Sequence, residues 1–329
     1  MPLVVKCNNG SVTDRYLEII GKAIEKYGEV IFTKRIEDAL EEEKEQIIVV
    51  ARTLDAFKLL IRRYKRVIVW FQGVEPEESY MCHNSYLRYI ILSLLERFIL
   101  KKARFCIFVS EEMKYHYERK YHISLSNSGY YCMPCMNTII HPGAFEYSKK
   151  YSNNYFAYVG SLAVWQKFED TVCAYKCIED AGIPNCKLLV YTPQEKEAEA
   201  ILKAYGVRNY DVDYIDNKEL PTKLTVAKYG FIIREDTTVN RVATPTKIST
   251  YLSCGLIPIY SECIKDFSRI AKNMKYAVQY DTHYVERIKN MSACNIRAAD
   301  ILAEYSKIFS TYYSPEYHIN LLKQKMENL

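Results

Sequence analysis

Short runs of β-branched and aromatic residues alternate with amphipathic helical stretches from one end of the chain to the other. This alternation is typical of βαβ units, which place their strands side by side in parallel sheets. In the first half the candidate strands are Leu3–Lys6, Val30–Thr33, Ile47–Ala51, Val67–Phe71, Phe105–Ser110 and Tyr130–Met133. In the second half they are Phe156–Val159, Leu188–Tyr191, Val212–Ile215, Gly230–Arg234, Ile257–Tyr260 and Tyr276–Gln279. The pattern predicts two parallel sheets.

Chain length and one break in this pattern divide the protein into two domains. With 329 residues, the chain is about twice the size of a typical domain. The polar and aromatic segment Phe145–Tyr155 interrupts the alternation, and we interpret it as an interdomain linker. We therefore expect an α/β protein with two Rossmann-like domains, residues 1–148 and 149–312, facing each other across a cleft. Ligands of such sheets bind at the carboxyl ends of the strands.

Composition and charge exclude several classes of protein. Hydrophobic residues make up 49% of the chain and charged residues 26%, which is the balance of a globular protein. The net charge of +5 does not indicate nucleic acid as a partner, which would need a concentrated basic face. The 11 cysteines are spread over the chain, often in apolar runs, which indicates reduced thiols. With no secretory signal and no membrane span in the pattern, we expect a cytoplasmic protein.

Basic residues cluster on two predicted helices of the first half. One cluster holds Arg52, Lys58, Arg62, Arg63, Lys65 and Arg66, and the other holds Arg88, Arg97, Lys101, Lys102 and Arg104. Both clusters fit an ordinary solvated helix face. They also fit peripheral contact with the anionic inner face of a cell membrane.

The most informative segment is Phe231–Tyr260, which predicts a strand, a loop, a helix and a second strand. Thr244 suits the N-cap of the helix, Pro245 suits its first position, and Gly255 suits its end. Lys247 in the first turn opposes the helix dipole, and Arg234 lies at the end of the preceding strand. This arrangement suits a bound anion such as a diphosphate. Alternatively, Lys247 only pairs with Glu235 or Asp236.

A family resemblance favours the anion. The residues Arg234-Glu235-Asp236, Asn240, Ala243 to Lys247, Tyr251-Leu252, Cys254-Gly255 and Pro258 resemble the donor-site segment of glycosyltransferase family 4 and related GT-B enzymes. The resemblance implies that Arg234 and Lys247 hold the diphosphate of a nucleotide sugar and stabilise it as the leaving group. Many relatives carry a ribose-binding glutamate where this chain has Thr250, so we expect ribose binding to be weakened or rearranged here.

A second resemblance covers Phe156–Phe168, which is similar to the first strand and glycine turn of the family's donor domain. It implies that Gly160 and Ser161 face the phosphate or the sugar, although Gly-Ser after a strand also fits an ordinary turn. The candidate donor site is completed by Tyr191, Asn240, Thr246 and Thr250. The resemblance also implies that the terminal segment, residues 313–329, forms a helix that packs back on the N-terminal domain.

The first half is less explicit about its ligand. Gly10 and Ser11 follow the first strand, and Gln72 and Gly73 follow another, so we take all four as candidate acceptor-side residues. His83 is the candidate acid or base on this side, and the alternative is a structural histidine. The pair Cys132 and Cys135 lacks the second pair that a zinc site needs, so we expect no metal and no cofactor beyond the nucleotide-sugar substrate.

Together these features predict a metal-independent, retaining hexosyltransferase. Its donor is a nucleotide sugar, with a UDP-sugar favoured, and its acceptor is a saccharide or lipid-linked saccharide in bacterial surface polysaccharide synthesis. Two alternatives keep the same architecture: a non-catalytic nucleotide- or partner-binding subunit of a glycosylation complex, and a nucleotide-sugar epimerase. A dinucleotide-dependent oxidoreductase is disfavoured because neither half has Gly-x-Gly-x-x-Gly after its first strand.

Overall fold

A computed structural model describes residues 2–5, 12–125, 129–147, 149–216, 218–327 and 329. The chain divides into two compact units. The first contains Met1–Cys135 together with Ser314–Leu329, and the second contains Met136–Tyr313.

The first unit is an α/β unit built on a parallel sheet. Its elements before the division are β1 Leu3–Val5, α1 Val12–Ile24, β2 Ile31–Thr33, α2 Ile36–Glu41, β3 Ile47–Val50, α3 Thr53–Ile61, β4 Arg66–Phe71, α4 Glu75–His83, α5 Tyr86–Lys102, β5 Phe105–Phe108, α6 Glu111–Tyr121 and β6 Gly129–Cys132. Within the described residues the six strands pair in the order β2-β1-β3-β4-β5-β6, and every pairing is parallel.

The second unit repeats this architecture with a different strand order. Its elements are β7 Asn154–Val159, α7 Phe168–Asp180, β8 Cys186–Tyr191, α8 Glu195–Ala204, β9 Tyr210–Asp213, α9 Leu220–Leu224, β10 Tyr229–Ile232, α10 Thr238–Val242, α11 Thr246–Ser253, β11 Ile257–Tyr260, α12 Lys265–Ala271, β12 Val278–Gln279, α13 Tyr284–Ala293 and α14 Ala298–Phe309. The six described strands are parallel in the order β9-β8-β7-β10-β11-β12, which is the Rossmann order.

The predicted fold class is confirmed, and each of the twelve candidate strands corresponds to an observed strand whose ends differ by at most two residues. The central strands read as continuous apolar runs because helices cover both faces of a parallel sheet. All four residues of β3, β5, β10 and β11 are buried, for example.

The division between the units comes after Cys135 rather than at residue 148. The segment that we interpreted as a linker packs within the second unit. Phe145 and Lys150 are buried, and the Tyr151 hydroxyl donates a hydrogen bond of 3.0 Å to the Gly255 carbonyl. The aromatic residues of this segment therefore serve packing, although their polar neighbours resemble a linker.

The C-terminal helix, α15 Pro315–Lys325, packs against α1 and β6 of the first unit. His318 and Leu322 are its buried residues. The Tyr131 hydroxyl and His318 Nδ1 share a hydrogen bond of 2.7 Å, and Lys26 Nζ donates one of 2.8 Å to the Lys323 carbonyl. Among the described residues, no helix is both long and apolar enough to cross a bilayer.

One tyrosine holds the strands and the helix of the second unit together. In the pairing of β7 with β10, Phe156 lies beside Tyr229 and Ala157 lies beside Gly230. Farther along, the buried Tyr251 hydroxyl accepts a hydrogen bond of 3.0 Å from the Val159 N–H. The same hydroxyl lies 3.4 Å from the carbonyl oxygens of Ala157 and Phe231. Tyr251 therefore fixes α11 against both strands.

Gly230 makes room for this tyrosine, so Gly230→Ala should be destabilising. A Cβ at Gly230 would lie 2.5 Å from Cδ2 of the buried Tyr251 ring. Overpacking of this kind costs about 1–3 kcal/mol, which a lower midpoint of thermal unfolding would report. Gly143→Ala is the matched control, because a Cβ there meets no atom within 4 Å. Equal stability of the two variants would contradict the packing role of Gly230.

Candidate functional site

The strand order of the second unit reverses between β7 and β10, which is where sheets of this order form their ligand crevice. In a Rossmann sheet the chain leaves these two neighbouring strands in opposite directions, and ligands bind outside their carboxyl ends. Gly160 directly follows β7, and Arg234 lies two residues beyond β10. The fold therefore brings together two segments that the sequence analysis selected separately.

The helix α11 begins beside this crevice. It begins at Thr246, and Pro245 is its N-cap, so the expected start at Pro245 is one residue too early. Pro245 has an extended ψ of 125°, which keeps it outside the helix. The expected end is confirmed: Gly255 has φ of +73°, and the N–H groups of Gly255 and Leu256 bond to the carbonyls of Leu252 and Tyr251.

Arg234 is buried, and its interactions are with neutral groups. Its backbone N–H donates a hydrogen bond of 2.9 Å to Ser261 Oγ, which fixes the turn after β10. Its guanidinium Nη1 donates a hydrogen bond of 2.9 Å to the Gln166 carbonyl and lies 3.4 Å from the carbonyl of Ile233. The guanidinium is thus held at the carboxyl end of the sheet by backbone oxygens.

Lys247 reaches the same residue, Gln166, from the first turn of α11. Its ammonium donates a hydrogen bond of 2.7 Å to Gln166 Oε1 and lies 4.2 Å from the centre of the Tyr158 ring. Gly160 is in direct contact with the lysine, since a Cβ there would lie 2.7 Å from Lys247 Cε. Gly160 has φ of +120°, a conformation that favours glycine. The glycine turn therefore leaves room for the lysine side chain.

The acidic residues next to Arg234 are bound elsewhere. Glu235 pairs with Lys167 at 2.9 Å, and Asp236 pairs with Arg241 at 2.6 Å. Lys247 consequently does not pair with either acid, which was the alternative to a bound anion. Within the described part of the chain, neither Arg234 nor Lys247 forms an ion pair with a carboxylate.

Burial without a counter-ion affects the protonation of both cations. Burial lowers the pKa of Lys247 well below its ordinary value, and the nearby positive charge of Arg234 lowers it further. Burial also lowers the pKa of the Arg234 guanidinium. An anion between the two groups would reduce this penalty, because it would compensate a buried guanidinium and a half-buried ammonium.

Some of the other predicted donor-site residues are partly exposed near the two cations, and others are buried or bonded to the backbone. Ser161 and Thr246 are partly exposed, at the glycine turn and at the first position of α11. Tyr191 ends β8, and its carbonyl accepts a hydrogen bond of 2.9 Å from the Gly160 N–H. Asn240 and Thr250 are buried and bonded internally. The Asn240 amide donates to the Glu235 carbonyl at 3.0 Å, and the Thr250 hydroxyl lies 3.2 Å from Asn137 Oδ1.

Sequence reasoning missed the role of Gln166. It ends the 3₁₀ turn Val164–Gln166, and it supplies one oxygen to each of the two cations. These two oxygens are neutral, so they satisfy hydrogen-bond donors of the cations without compensating either charge. Its place in the loop that starts at Gly160 was the sequence feature that could have identified it as a site residue.

The first unit has a separate cavity of about 460 Å³ at the carboxyl ends of β3 and β4. The predicted residues Gln72 and Gly73 line it together with Arg52, Asp55, Lys58 and Glu78. Burial raises the pKa of both carboxyl groups, Asp55 and Glu78. The cavity can therefore both donate and accept hydrogen bonds.

Of the remaining candidates of the first unit, only His83 is among the described residues. His83 is the last residue of α4, is exposed, and is not among the residues that line the cavity. Gly10 and Ser11 lie outside the described residues. Over the described ranges, no three His, Cys, Asp or Glu side chains come together in a group suited to a metal ion.

Lys247→Met should stabilise the protein in the absence of a ligand. Because the pKa of Lys247 is lower in the folded than in the unfolded chain, protonation opposes folding, and the penalty is largest at low pH. We expect a gain of about 1 kcal/mol near pH 7 that shrinks as pH rises towards about 10.4. Thermal unfolding at several pH values measures it.

The exposed Lys196→Met is the matched control for this prediction, since it removes the same charge from a solvated position. It should change stability little at any pH. A Lys247→Met variant that is less stable than the wild type over the whole pH range would show that the contacts with Gln166 and Tyr158 outweigh the burial of the charge.

No protein-family profile and no curated protein sequence matches the chain. Solved structures match it over most of its length. A mutant of S. aureus TarM in complex with fondaparinux, α-GlcNAc-glycerol and UDP is 9% identical, with a TM-score of 0.63. The match covers 89% of this chain but only 57% of that one, so this chain spans little more than half of its length.

Two trehalose-phosphate synthases match more evenly. The UDP-forming α,α-trehalose-phosphate synthase of Burkholderia vietnamiensis is 8% identical, with a TM-score of 0.61, and the match covers 96% of this chain and 79% of that one. A trehalose-6-phosphate synthase studied with bisubstrate glycomimetics for glycosyltransfer with retention is 11% identical, with the same TM-score and coverage. The chain therefore has the fold of GT-B glycosyltransferases, with a six-stranded parallel sheet in each described unit.

Proposed function

We propose that this protein is a glycosyltransferase that transfers a sugar from a nucleotide-sugar donor held in the second unit. The observation that carries the proposal is the pair of cations, Arg234 and Lys247, at the carboxyl end of the sheet, with no carboxylate partner among the residues that the structure describes. Burying two like charges together costs stability unless an anion compensates them. The diphosphate of a nucleotide sugar would supply two negative charges and several acceptor oxygens at this position.

A UDP-sugar is the donor that we favour. UDP is bound in the S. aureus TarM structure, and the B. vietnamiensis synthase is described as UDP-forming. The first turn of α11 would approach the diphosphate with backbone N–H groups, while Arg234 and Lys247 would neutralise it.

In the proposed reaction, the bond from the anomeric carbon to the diphosphate breaks while a bond to the acceptor hydroxyl forms. Stabilisation of the departing diphosphate lowers the barrier most, and the two cations would provide it without a metal ion. The leaving phosphate would accept the acceptor's proton, so the mechanism requires no separate protein base. We propose retention of configuration, as studied for the similar trehalose-6-phosphate synthase.

For the acceptor, we propose the cavity of the first unit. Asp55 and Glu78 would accept hydrogen bonds from sugar hydroxyls, and Arg52 and Gln72 would donate to ring or phosphate oxygens. A saccharide or lipid-linked saccharide of bacterial surface polysaccharide synthesis fits this chemistry. The basic helices of the same unit add a tendency to contact anionic membrane peripherally, which a lipid-linked acceptor requires.

Thr250 favours a second candidate function, that of a non-catalytic nucleotide-binding subunit. Its hydroxyl also lies 3.1 Å from the Thr246 carbonyl, so it is bonded inside the helix and towards Asn137. A protein that binds nucleotide without a ribose-binding acid at this position could retain binding and lack turnover. Turnover assays with UDP-sugars, which detect transfer, hydrolysis and epimerisation separately, distinguish these functions.

Nucleotide binding should stabilise the wild type but not a Lys247→Met variant. A nucleoside diphosphate at ~100 times its dissociation constant adds about 2.7 kcal/mol, roughly a few degrees in the unfolding midpoint. UDP, GDP, ADP and CDP are compared by thermal unfolding, and we expect the largest shift with UDP. Lys196→Met should respond like the wild type because it lies on the surface.

Absence of a shift with every nucleotide would contradict the donor site. A shift that survives in both Lys247→Met and Arg234→Met would place the nucleotide elsewhere. Repeating the measurement with EDTA tests the proposed metal independence, and a shift abolished by EDTA would refute that part alone.

Gln166→Ala should increase the affinity for UDP. The Gln166 side chain competes with phosphate for Lys247, and loss of one such hydrogen bond is worth about 1 kcal/mol, or about fivefold in affinity. Isothermal titration calorimetry measures the change. Gln194→Ala is a control in a neighbouring loop, since Gln194 bonds to Leu162 and Thr192 but not to the cations. Weaker binding by Gln166→Ala would show that Gln166 positions the lysine instead.

A further inference from the structure

The first unit exposes a stripe of large apolar side chains on α5. Tyr86, Leu87 and Leu94 are more than 60% exposed, and Ile90 and Ile91 are 39% and 51% exposed. The spacing of these five residues places them on one face of the helix, over its first half. Single exposed apolar residues are ordinary, but a continuous stripe marks an interaction surface.

The neighbouring helix α3 extends this stripe. The rings of Phe57 and Phe98 meet at 5.5 Å and join the two helices, so their exposed faces adjoin. Leu54 and Ile61 of α3 are 58% and 51% exposed. We call the combined face the α3–α5 surface. It consists of Leu54, Ile61, Tyr86, Leu87, Ile90, Ile91 and Leu94, with the exposed cations Lys58, Arg62, Arg97, Lys101 and Lys102.

The charges of this surface have one sign. Arg97 and Lys101 continue the exposed face of α5 beyond the apolar stripe, and Lys102 flanks it. The acidic residues within α3 and α5 are Asp55 and Glu96, and both are buried. This exposed face therefore offers a membrane both apolar area and positive charge, the two contributions that favour binding to an anionic interface.

We propose that the α3–α5 surface docks on a bilayer that contains anionic lipid. The apolar stripe would enter the boundary between headgroups and acyl chains, and the cations would lie at the level of the phosphates. A symmetric dimer through this face is less favourable, because it would bring cation clusters of equal sign towards each other.

The surface is continuous with the cavity of the first unit. Leu54 and Lys58 belong to the surface and also line the cavity at the carboxyl ends of β3 and β4. Docking would therefore bring the edge of the cavity to the headgroup level. This last point rests on the proposed function, since it would let a lipid-linked saccharide enter while its lipid stays in the bilayer. Docking itself does not depend on that function.

The test is co-sedimentation of the full chain with vesicles. We compare phosphatidylcholine vesicles with vesicles that contain about 30% phosphatidylglycerol, and we expect binding mainly to the latter. Binding should fall as salt rises from about 0.1 M to about 1 M. In Arg97→Gln/Lys101→Gln/Lys102→Gln, each lost cation should weaken binding about fivefold, or about a hundredfold in all. Leu87→Gln/Ile91→Gln/Leu94→Gln should also lose binding.

Two matched variants control for net charge and for apolar area. Lys196→Gln/Lys223→Gln/Lys289→Gln removes three exposed cations from the second unit, and Ile139→Gln/Tyr214→Gln removes two exposed apolar side chains from it. Both should bind vesicles like the wild type. The surface variants should unfold at the wild-type temperature and keep their response to UDP, which separates failure of docking from failure of the donor site.

Tryptophan fluorescence reports whether the apolar stripe inserts into the bilayer. Leu87→Trp places an indole in the stripe, and its fluorescence should shift to shorter wavelength with the phosphatidylglycerol vesicles only. Equal binding to both vesicle types, or unchanged binding by the two surface variants, would overturn the proposal. A concentration-dependent dimer that the apolar variant abolishes, without vesicle binding by the wild type, would identify a second copy as the occupant and would also overturn it.

Discussion

The hydroxyl of Tyr251, between the ends of β7 and β10, is the contact on which the candidate site depends. It accepts the Val159 N–H at 3.0 Å and lies near two carbonyl oxygens, so one side chain satisfies backbone groups of both strands. Because Tyr251 belongs to α11, the same contact fixes the helix whose first turn carries Lys247. Gly230 and the glycine turn after β7 permit these approaches. The position of the lysine thus follows from a small number of steric requirements.

The electrostatics of the site depend on the ion pairs that Glu235 and Asp236 form. Two acids directly follow Arg234 in the sequence, and either could have neutralised a cation in the crevice. Lys167 and Arg241 bind them instead, at 2.9 Å and 2.6 Å. Among the described residues, the contacts of the buried Arg234 and the half-buried Lys247 are neutral oxygens and one aromatic ring. We expect such an arrangement to cost stability when no anion is bound, as is usual where charges are arranged for a ligand.

Much of the fold could be predicted from the sequence because its signals are local. The twelve strands are short apolar runs between helical patterns, and Gly255 ends its helix for a reason contained in a few residues. The contacts that define the site are not local. Gln166 lies 68 residues from Arg234 and 81 from Lys247, so no spacing rule could have joined them. The segment around Phe145 and Lys150 was interpreted as a linker for the same reason. Only its contacts with residues distant in the sequence show that it is packed.

The predicted site residues account for the crevice of the second unit better than for the cavity of the first. In the second unit, the strand order places the crevice between β7 and β10, and predicted residues follow both strands. In the first unit, the cavity adjoins β3 and β4, and the predicted residues Gln72 and Gly73 account for only part of its lining. Donor diphosphates are chemically alike, so similar cations suit all of them, whereas acceptors vary in charge and shape. The cavity that we propose for the acceptor is lined by both cations and carboxyl groups, and this combination is specific to this chain.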